Sequence, residues 1–99
     1  MEQKTILITG ASGRLGTAFA RSIAAFGGRV FLVDLDKEKG RRLVAELGAH
    51  KADFFVADIT TASGIQKSIQ SCVVKFGKID AIVHAAYPRS AGWGATLED

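Results

Sequence analysis

Short apolar runs and amphipathic stretches alternate along the chain. The first run, at 5–9, is continuous, which is typical of a strand buried on both faces of a parallel sheet. The stretches between the runs repeat their apolar residues every three or four positions, as amphipathic helices do. The pattern therefore predicts strand 5–9, helix 14–26, strand 29–33, helix 37–47, strand 53–57, a third helix that is capped by Thr60 or Thr61 and reaches Phe76, and strand 78–85.

Each predicted helix ends at glycine and is expected to bury one apolar stripe. Gly27 and Gly28 follow the first helix, as a left-handed C-terminal cap requires, and Gly48 and Gly77 end the other two. The stripes are Leu15, Phe19, Ile23 and Phe26 in the first helix, Leu43, Val44 and Leu47 in the second, and Ile65, Ile69, Cys72, Val73 and Phe76 in the third.

Strict alternation of strand and helix predicts right-handed crossovers and a parallel sheet. We expect an α/β, Rossmann-like fold of three layers with strand order 3-2-1-4. The first two helices would cover one face of the sheet. The third helix, which follows the switch in strand order, would cover the other. Beyond Ala86 the periodic pattern stops, so residues 87–99 are expected to form a loop or tail.

Composition is that of one small globular domain in the cytoplasm. The chain has 99 residues with a net charge of +3, and its basic cluster at 37–42 fits a solvated helix face better than a nucleic-acid patch. We expect no signal peptide, and no apolar run approaches the ~18–20 residues of a membrane span. The single cysteine, Cys72, excludes a disulfide framework and fits a reducing compartment. No third ligand joins it and His50 in a metal site.

The segment between the first strand and the first helix is the main candidate for binding. It reads Thr9-Gly-Ala-Ser-Gly-Arg-Leu-Gly16. Gly10 permits a tight turn, Gly13 leaves the backbone bare where a pyrophosphate approaches, and Gly16 lets the helix pack closely on the sheet. The first N–H groups of the helix and its dipole then favour phosphate. In this context of strand, turn and helix, the glycines predict a dinucleotide site.

Asp34 ends the second strand at the spacing expected for the acid that binds a ribose. A carboxylate there accepts both ribose hydroxyls and repels a 2′-phosphate, and no arginine follows it, so NAD is favoured over NADP. Arg14 could contact a phosphate and keeps NADP as the alternative. Ser12 either donates a hydrogen bond to a phosphate or stabilises the turn. The alternative role of Asp34 is that of a solvated acid at a strand end.

Four segments together resemble the short-chain dehydrogenase/reductase family. They are the glycine turn, Asp34, Asp58-Ile59, and the stretch Phe76-Gly-Lys-Ile-Asp-Ala-Ile-Val-His-Ala-Ala86. The resemblance implies that Asp58 lies against adenine, although it could instead cap the third helix with Thr60. The cofactor-binding residues that the pattern and the resemblance imply are Gly10, Ser12, Gly13, Arg14, Leu15, Gly16, Asp34, Asp58, Ile59, Ala85 and Ala86.

Details of the sequence resemble two branches of that family. The position of Gly13 and the sequence His84-Ala85-Ala86 are similar to the extended branch, which includes nucleotide-sugar epimerases and dehydratases. Residues 76–80 are similar to the main branch. His84 stands at the end of a strand, beyond which ligands bind in such sheets, and is equally compatible with a hydrogen-bonded core residue.

The catalytic serine and the Tyr-x-x-x-Lys pair of the family have no counterpart here, because the only tyrosine is Tyr87 and the residue four positions later is Ala91. We therefore expect residues 1–86 to be the dinucleotide-binding half of an oxidoreductase that transfers hydride between nicotinamide and an alcohol or carbonyl substrate. Two alternatives stay open. One is a non-enzymatic NAD(P)-binding sensor or interaction module, and the other is a fragment of an extended-branch epimerase or dehydratase.

The fourth strand is expected to be an edge of the sheet. Ile79, Ile82 and Val83 would leave an apolar surface there, beside the third-helix face. Unpaired edges and apolar patches favour pairing with another chain, so self-association is expected.

Overall fold

Strands and helices alternate in the computed structural model, which describes residues 3–11 and 13–85. The elements are β1 (Thr5–Thr9), α1 (Arg14–Ala25), β2 (Arg29–Asp34), α2 (Lys37–Leu47), β3 (Ala52–Val56), α3 (Ala62–Phe76) and β4 (Ala81–His84). Expectations for Ser12, for Ala86 and for the tail 87–99 lie outside the described residues.

All four strands are parallel and lie in the order β3-β2-β1-β4. The predicted fold class and strand order are therefore confirmed. In the central pair, Ile6 lies opposite Val30 and Ile8 opposite Leu32. Because β1 has β2 on one side and β4 on the other, the strand order reverses at β1.

The helices form the two outer layers as predicted. On the face covered by α1 and α2, a core cluster includes Ile8, Ile23, Leu32 and Leu43. On the face covered by α3, Leu7, Phe31, Val33 and Cys72 form a second cluster, with Phe76 packed against it. The thiol of Cys72 is fully buried, and burial raises its pKa to about 11. It is therefore a packing residue, as the sequence suggests.

The buried stripe predicted for α1 is wrong at three of its four positions. Leu15, Phe19 and Phe26 are exposed, and Phe26 is 72% exposed as the C-cap residue beyond the helix. The residues that α1 buries are Gly16, Ala20, Ile23 and Ala24. The helix lies so close to the sheet that only small side chains fit between them at most of these positions, and the larger apolar residues flank the contact.

The stripe predicted for α3 is partly wrong for a similar reason. Ser68 and Cys72 are the buried residues of this helix, whereas Ile65 and Val73 are exposed. Ser68 is tolerated inside because its hydroxyl donates to the carbonyl oxygen of Gly64, at 2.7 Å. Of the three helices described, none is both long and apolar enough to cross a membrane.

Three strands differ from the prediction in their bounds: β2 ends one residue later, at Asp34, whereas β3 and β4 each end one residue earlier, at Val56 and His84. β3 begins at Ala52, one residue early, because this buried alanine pairs with Val30. β4 begins at Ala81 rather than at residue 78. The carboxylate of Asp80 accepts the backbone N–H of Thr5, with Oδ2 2.7 Å from the nitrogen. The N–H at the start of β1 thus bonds to a side chain.

Asp80 thereby joins the start of β4 to the start of β1. Its own N–H donates to the carbonyl oxygen of Thr5 at 2.8 Å, and the ammonium of Lys78 lies 3.1 Å from Oδ2. The guanidinium of Arg29 donates to the hydroxyl of the same threonine at 2.9 Å. The N–H of Thr5, followed by Lys78, holds the pKa of the Asp80 carboxyl below its usual range.

We expect Asp80→Asn to lower the unfolding midpoint at pH 7. Because the folded pKa of Asp80 lies below its unfolded value, the contribution is fully present above the unfolded pKa, near 4, and is lost as pH falls through the folded pKa. The parent and the variant should therefore begin to converge as pH falls below about 4, in thermal melts followed by circular dichroism. Glu38→Gln, at an exposed acid of α2, is the control and should keep the profile of the parent. Parallel profiles of the parent and Asp80→Asn would contradict this role.

Candidate dinucleotide-binding site

The carboxyl ends of the four strands meet at one edge of the sheet. The strands end at Thr9, Asp34, Val56 and His84. The order reverses at β1, and in open parallel sheets ligands bind in the crevice at such a point. Residues that follow the strands at this edge are therefore the candidates for a binding site.

The turn after β1 has the geometry expected of the glycine segment. Gly10 has φ +71°, in the left-handed region that favours glycine. Its N–H donates to the carbonyl oxygen of Val33 at 2.9 Å, which attaches the turn to the neighbouring strand. Gly13 is the N-cap of α1 and makes no side-chain cap hydrogen bond. Within residues 3–11 and 13–85, no side-chain cap is thus found at the first N–H groups of this helix, an arrangement that suits an anion.

The two later glycines differ in the space around them. A Cβ atom at Gly16 would lie 2.5 Å from the carbonyl oxygen of Gly10 and 2.7 Å from Cα of Ala11. A Cβ atom at Gly13 would meet only that same oxygen, at 3.6 Å. Gly16 therefore serves helix packing, whereas Gly13 is exposed and leaves open space in front of the backbone.

A hydrogen bond that the sequence reading missed reinforces this turn. The hydroxyl of Thr17 donates to the carbonyl oxygen of Ala11 at 3.1 Å. The sequence feature that could have predicted this bond is the threonine directly after Gly16. At that position a hydroxyl on the first turn of the helix can reach back to the loop.

Asp34 is the last residue of β2, where the sequence places it. It is half-buried, and its Oδ1 accepts the N–H of Leu35 at 2.7 Å, which fixes the carboxylate at the strand end. Asp36 has a different function, since its Oδ1 accepts the N–H of Lys39 at 3.1 Å and caps α2.

Asp58 follows β3 and orders the turn before α3. Its Oδ1 accepts the N–H of Thr60 at 2.9 Å and the hydroxyl of the same residue. These bonds, the hydroxyl first, hold the pKa of Asp58 below its usual range. The N-cap of α3 is Thr61, which accepts the N–H of Gly64 at 2.9 Å. The alternative in which Asp58 and Thr60 cap α3 is therefore wrong, because Thr61 is the cap and Asp58 bonds to the turn before it.

Gly64 is a second residue that the sequence reading missed. A Cβ atom at this position would lie 1.9 Å from the carbonyl oxygen of Asp58. The first turn of α3 therefore lies directly against the loop that carries Asp58 and Ile59. Ile59 packs on the core cluster of the α3 face.

The end of β4 is joined to the end of β1. The hydroxyl of Thr9 is within hydrogen-bonding distance of Nδ1 of His84, and the N–H of Ala85 donates to the carbonyl oxygen of Thr9 at 2.9 Å. This pairing was also missed, and it follows from the register, since Thr9 and His84 lie opposite each other. Ala85 is buried.

A groove of about 490 Å³ between α1 and α2 borders the glycine turn at Gly13. Arg14, Lys39 and Arg42 contribute cations to its wall. Arg21, also in the wall, forms a two-bond pair with Glu46, at 2.8 and 3.0 Å. This exposed pair lowers the pKa of Glu46 and raises that of Arg21, mainly through the hydrogen bond between them.

Comparison with known proteins gives a family match over nearly the whole chain. The model of the short chain dehydrogenase family matches residues 4–92. The chain belongs to the short-chain dehydrogenase family. Members of this family are oxidoreductases with an NAD(P)-binding Rossmann fold, in agreement with the sheet order and glycine turn of this chain.

Similar proteins support the assignment to short-chain dehydrogenases. D-threitol dehydrogenase of Mycolicibacterium smegmatis is 34% identical over 90 residues, covering 87% of this chain and 34% of that protein. A glucose/ribitol dehydrogenase structure from Brucella melitensis matches with a TM-score of 0.79 and 32% identity, over 83% of this chain and 35% of that one. A structure of 3-ketoacyl-(acyl-carrier-protein) reductase from the same organism, complexed with NADH, matches with a TM-score of 0.78 and 34% identity. The match covers 82% of this chain and 33% of that one. The chain thus spans about a third of the length of these relatives.

The described residues of the expected site gather at one edge of the sheet. The glycine turn with Arg14 and Leu15 follows β1, Asp34 ends β2, Asp58 and Ile59 follow β3, and Ala85 follows β4. Their contacts with a cofactor remain predictions.

We expect Gly16→Ala to destabilise the fold by about 1–3 kcal/mol, because the new methyl group meets backbone atoms that no side-chain rotation can move. Gly13→Ala is the matched control, where the methyl group meets open space and the cost should stay below about 1 kcal/mol. Urea unfolding of both variants measures the difference. Equal losses would show that α1 does not depend on close packing at Gly16.

Proposed function

We propose that this chain is the dinucleotide-binding part of an oxidoreductase that moves hydride between a nicotinamide cofactor and an alcohol or carbonyl substrate. The observation that carries the proposal is the start of α1 behind Gly10 and Gly13, where the N-cap glycine supplies no side-chain cap. It lies at the point of strand reversal, with Asp34 on the neighbouring strand. The dehydrogenase and reductase relatives support the same reaction class.

The described residues fit such a cofactor. The N–H groups at the start of α1 would hold the pyrophosphate, and the open face of Gly13 would let it approach. Asp34 would accept the ribose hydroxyls, and Asp58 with Ile59 would border the adenine. Leu15 and the backbone at Ala85 complete the contacts proposed for described residues. Ser12 and Ala86, which lie outside them, stay proposed contacts from the sequence alone. The nicotinamide ring supplies the redox chemistry, and the protein supplies binding, orientation and electrostatics.

We favour NAD over NADP because Asp34 stands at the end of β2, where a 2′-phosphate would meet its negative charge. The groove with Arg14, Lys39 and Arg42 is the observation that favours NADP as the second candidate. Its cations would attract a phosphate that extends from the ribose toward α2.

The alternatives from the sequence differ in what accompanies this site. A Tyr-x-x-x-Lys pair encoded after residue 99 would rule out a non-enzymatic sensor, and a long sugar-binding region would favour an epimerase or dehydratase. The buried thiol of Cys72 fits the cytoplasm, which we propose as the location.

Calorimetric titration with NAD and NADP tests the cofactor assignment. We expect the parent chain to prefer NAD, and Asp34→Asn to lose at least about tenfold in NAD affinity because an amide cannot accept both hydroxyls as a carboxylate does. NADP affinity should not fall in this variant, since the repulsion is removed.

Asp36→Asn is the matched control, because asparagine also caps helices and the residue lies two positions further on. It should bind NAD as the parent does. Absence of heat with either cofactor would contradict the proposal, and preference for NADP that is lost in Arg14→Gln would establish the second candidate.

We also propose that the 99-residue chain self-associates through the edge of β4 and the adjoining face of α3. Ile82 is 54% exposed on the side of the sheet that α3 covers, and Ile65 and Val73 of that helix are exposed as well. An unpaired strand edge beside apolar side chains favours pairing with a second copy.

Sedimentation velocity at increasing concentration should reveal dimers of the parent chain. Ile82→Lys should shift the chain toward monomer, because the charge would be buried in the interface. Val56→Lys, at an exposed valine on the opposite edge strand β3, should leave the dimer intact. A parent that stays monomeric at high concentration contradicts the proposal.

A further inference from the structure

Helix α1 turns an apolar flank toward the β4 side of the molecule. Arg14, Thr17 and Arg21 line the groove that faces α2. Leu15 and Phe19 are exposed on the opposite flank of the helix, since successive residues are turned by about 100°. Because α2 lies over β2 and β3, the flank formed by Leu15 and Phe19 points toward β4. We call it the α1 flank.

Helix α3 shows the same asymmetry on the other face of the sheet. Ser71 and Lys75 line a groove of about 500 Å³ against β3. Val73 is exposed and, with the half-buried Ile69, stands on the flank turned away from that groove. We call this the α3 flank. Ile82 of β4 is exposed on the same face, so apolar side chains border β4 in both helix layers.

The outer edge of β3 is partly closed by hydrogen bonds within the chain. The N–H of Ala57 donates to a carbonyl oxygen of β2, so the N–H groups of the even-numbered residues of β3 point outward. That of Ala52 donates to the carbonyl oxygen of Gly48 at 3.0 Å, and that of Phe54 to Oδ1 of Asp53 at 2.8 Å. Engaged donors of this kind hinder the addition of a further strand.

Cations also stand beside β3. Lys37 and Arg41 of α2 line a groove against this strand. Two copies that met through β3 in an antiparallel pair would bring these like charges toward each other, which opposes association.

The outer edge of β4 offers backbone groups to a partner. Among residues 3–11 and 13–85, no strand lies beyond β4. The N–H of Ala85 donates to the carbonyl oxygen of Thr9 on β1. Because these groups alternate along a strand, the N–H and C=O groups of Ile82 and His84 point away from β1.

Symmetry restricts how a second copy can pair with this edge. In a parallel pair, facing residues of the two strands make different hydrogen bonds, so no two-fold axis relates the strands. A two-fold axis perpendicular to the sheet reverses the strand direction and keeps each face on its own side. The α1 flank then meets the α1 flank of the second copy, and the α3 flank likewise meets its own copy. The sheet edge and both helix layers are thus self-complementary.

We propose that two copies of the 99-residue chain pair β4 with β4, antiparallel, about a two-fold axis at Val83, and form one continuous sheet. Ile82 of each copy bonds to His84 of the other, which uses the outward N–H and C=O groups of both residues. Val83 faces its own copy in a pair without hydrogen bonds. The inference rests on the self-association proposed above and names its interface and register.

Cysteine cross-linking tests the register. The Cα atoms of facing residues in a pair without hydrogen bonds lie about 4.5 Å apart, within the span of a disulfide. Val83→Cys should therefore form a disulfide-linked dimer under mild oxidation, read on a non-reducing gel. Cysteines in Ile82→Cys would be diagonal neighbours, roughly 7–8 Å apart, and should cross-link little.

The chain offers two controls for this experiment. The native thiol of Cys72 is fully buried, so the parent should form no covalent dimer. Val56→Cys places an exposed thiol on the opposite edge strand and should also stay unlinked. Circular dichroism shows that each variant is folded.

Lysine substitutions test the helix flanks. Val73→Lys and Phe19→Lys should each weaken the dimer at least about tenfold in sedimentation, because each places a charge in the interface. Val74→Lys is the matched control for α3, since this neighbouring valine is exposed and lines the groove against β3. Its dimer should dissociate within about twofold of the parent.

The outcomes separate this inference from the proposals before it. A dimer that cross-links through Ile82→Cys or Val56→Cys and not through Val83→Cys overturns the inference and leaves self-association intact. A dimer that tolerates both Val73→Lys and Phe19→Lys overturns it as well. A monomeric parent overturns both the inference and self-association. The cofactor proposal is decided separately by calorimetry.

Discussion

The close approach of α1 to the end of β1 is the constraint on which the candidate site depends. At Gly16 the nearest neighbours of an added Cβ atom are backbone atoms of Gly10 and Ala11, so no rotamer change could relieve the contact. The missing side chain therefore sets how near the helix lies to the sheet. It also brings the first N–H groups of α1 to the edge where the strands end, and it explains why α1 buries Ala20 and Ala24 rather than Leu15 and Phe19.

β4, which borders the candidate site on the other side of β1 from β2, is stabilised by different interactions from those of β1. The residues of β4 are exposed or only half-buried, whereas those of β1 are all buried. Side-chain hydrogen bonds compensate for this low burial at both ends of β4. Asp80 bonds to Thr5 at the start of the strand, and His84 bonds to Thr9 at its end. The part of the crevice beside β4 therefore depends on side-chain hydrogen bonds to β1 in addition to the ladder, while the part beside β2 depends on the buried core.

Elements and strand order could be predicted from the sequence because buried parallel strands and amphipathic helices have distinct apolar periods. The positions of Gly10, Gly16 and Asp34 could be predicted for the same reason, since each stands at a boundary between such elements. The buried stripe of α1 could not, because periodicity ranks side chains by hydrophobicity and contains no information on the distance between helix and sheet. The Thr9–His84 pair could not either, because it joins residues 75 positions apart and depends on strand register.

Both cationic and anionic side chains lie near the proposed ribose position. They differ in how strongly salt screens their interaction with a ligand. Arg14, Lys39 and Arg42 are exposed, so their attraction for a phosphate is screened by salt over about 8 Å at physiological ionic strength. Asp34 is half-buried and held by the N–H of Leu35, so its carboxylate is oriented before a ligand arrives. A hydrogen bond to an oriented carboxylate acts at contact and loses little to screening. This difference in orientation and screening is the reason for which we propose NAD rather than NADP.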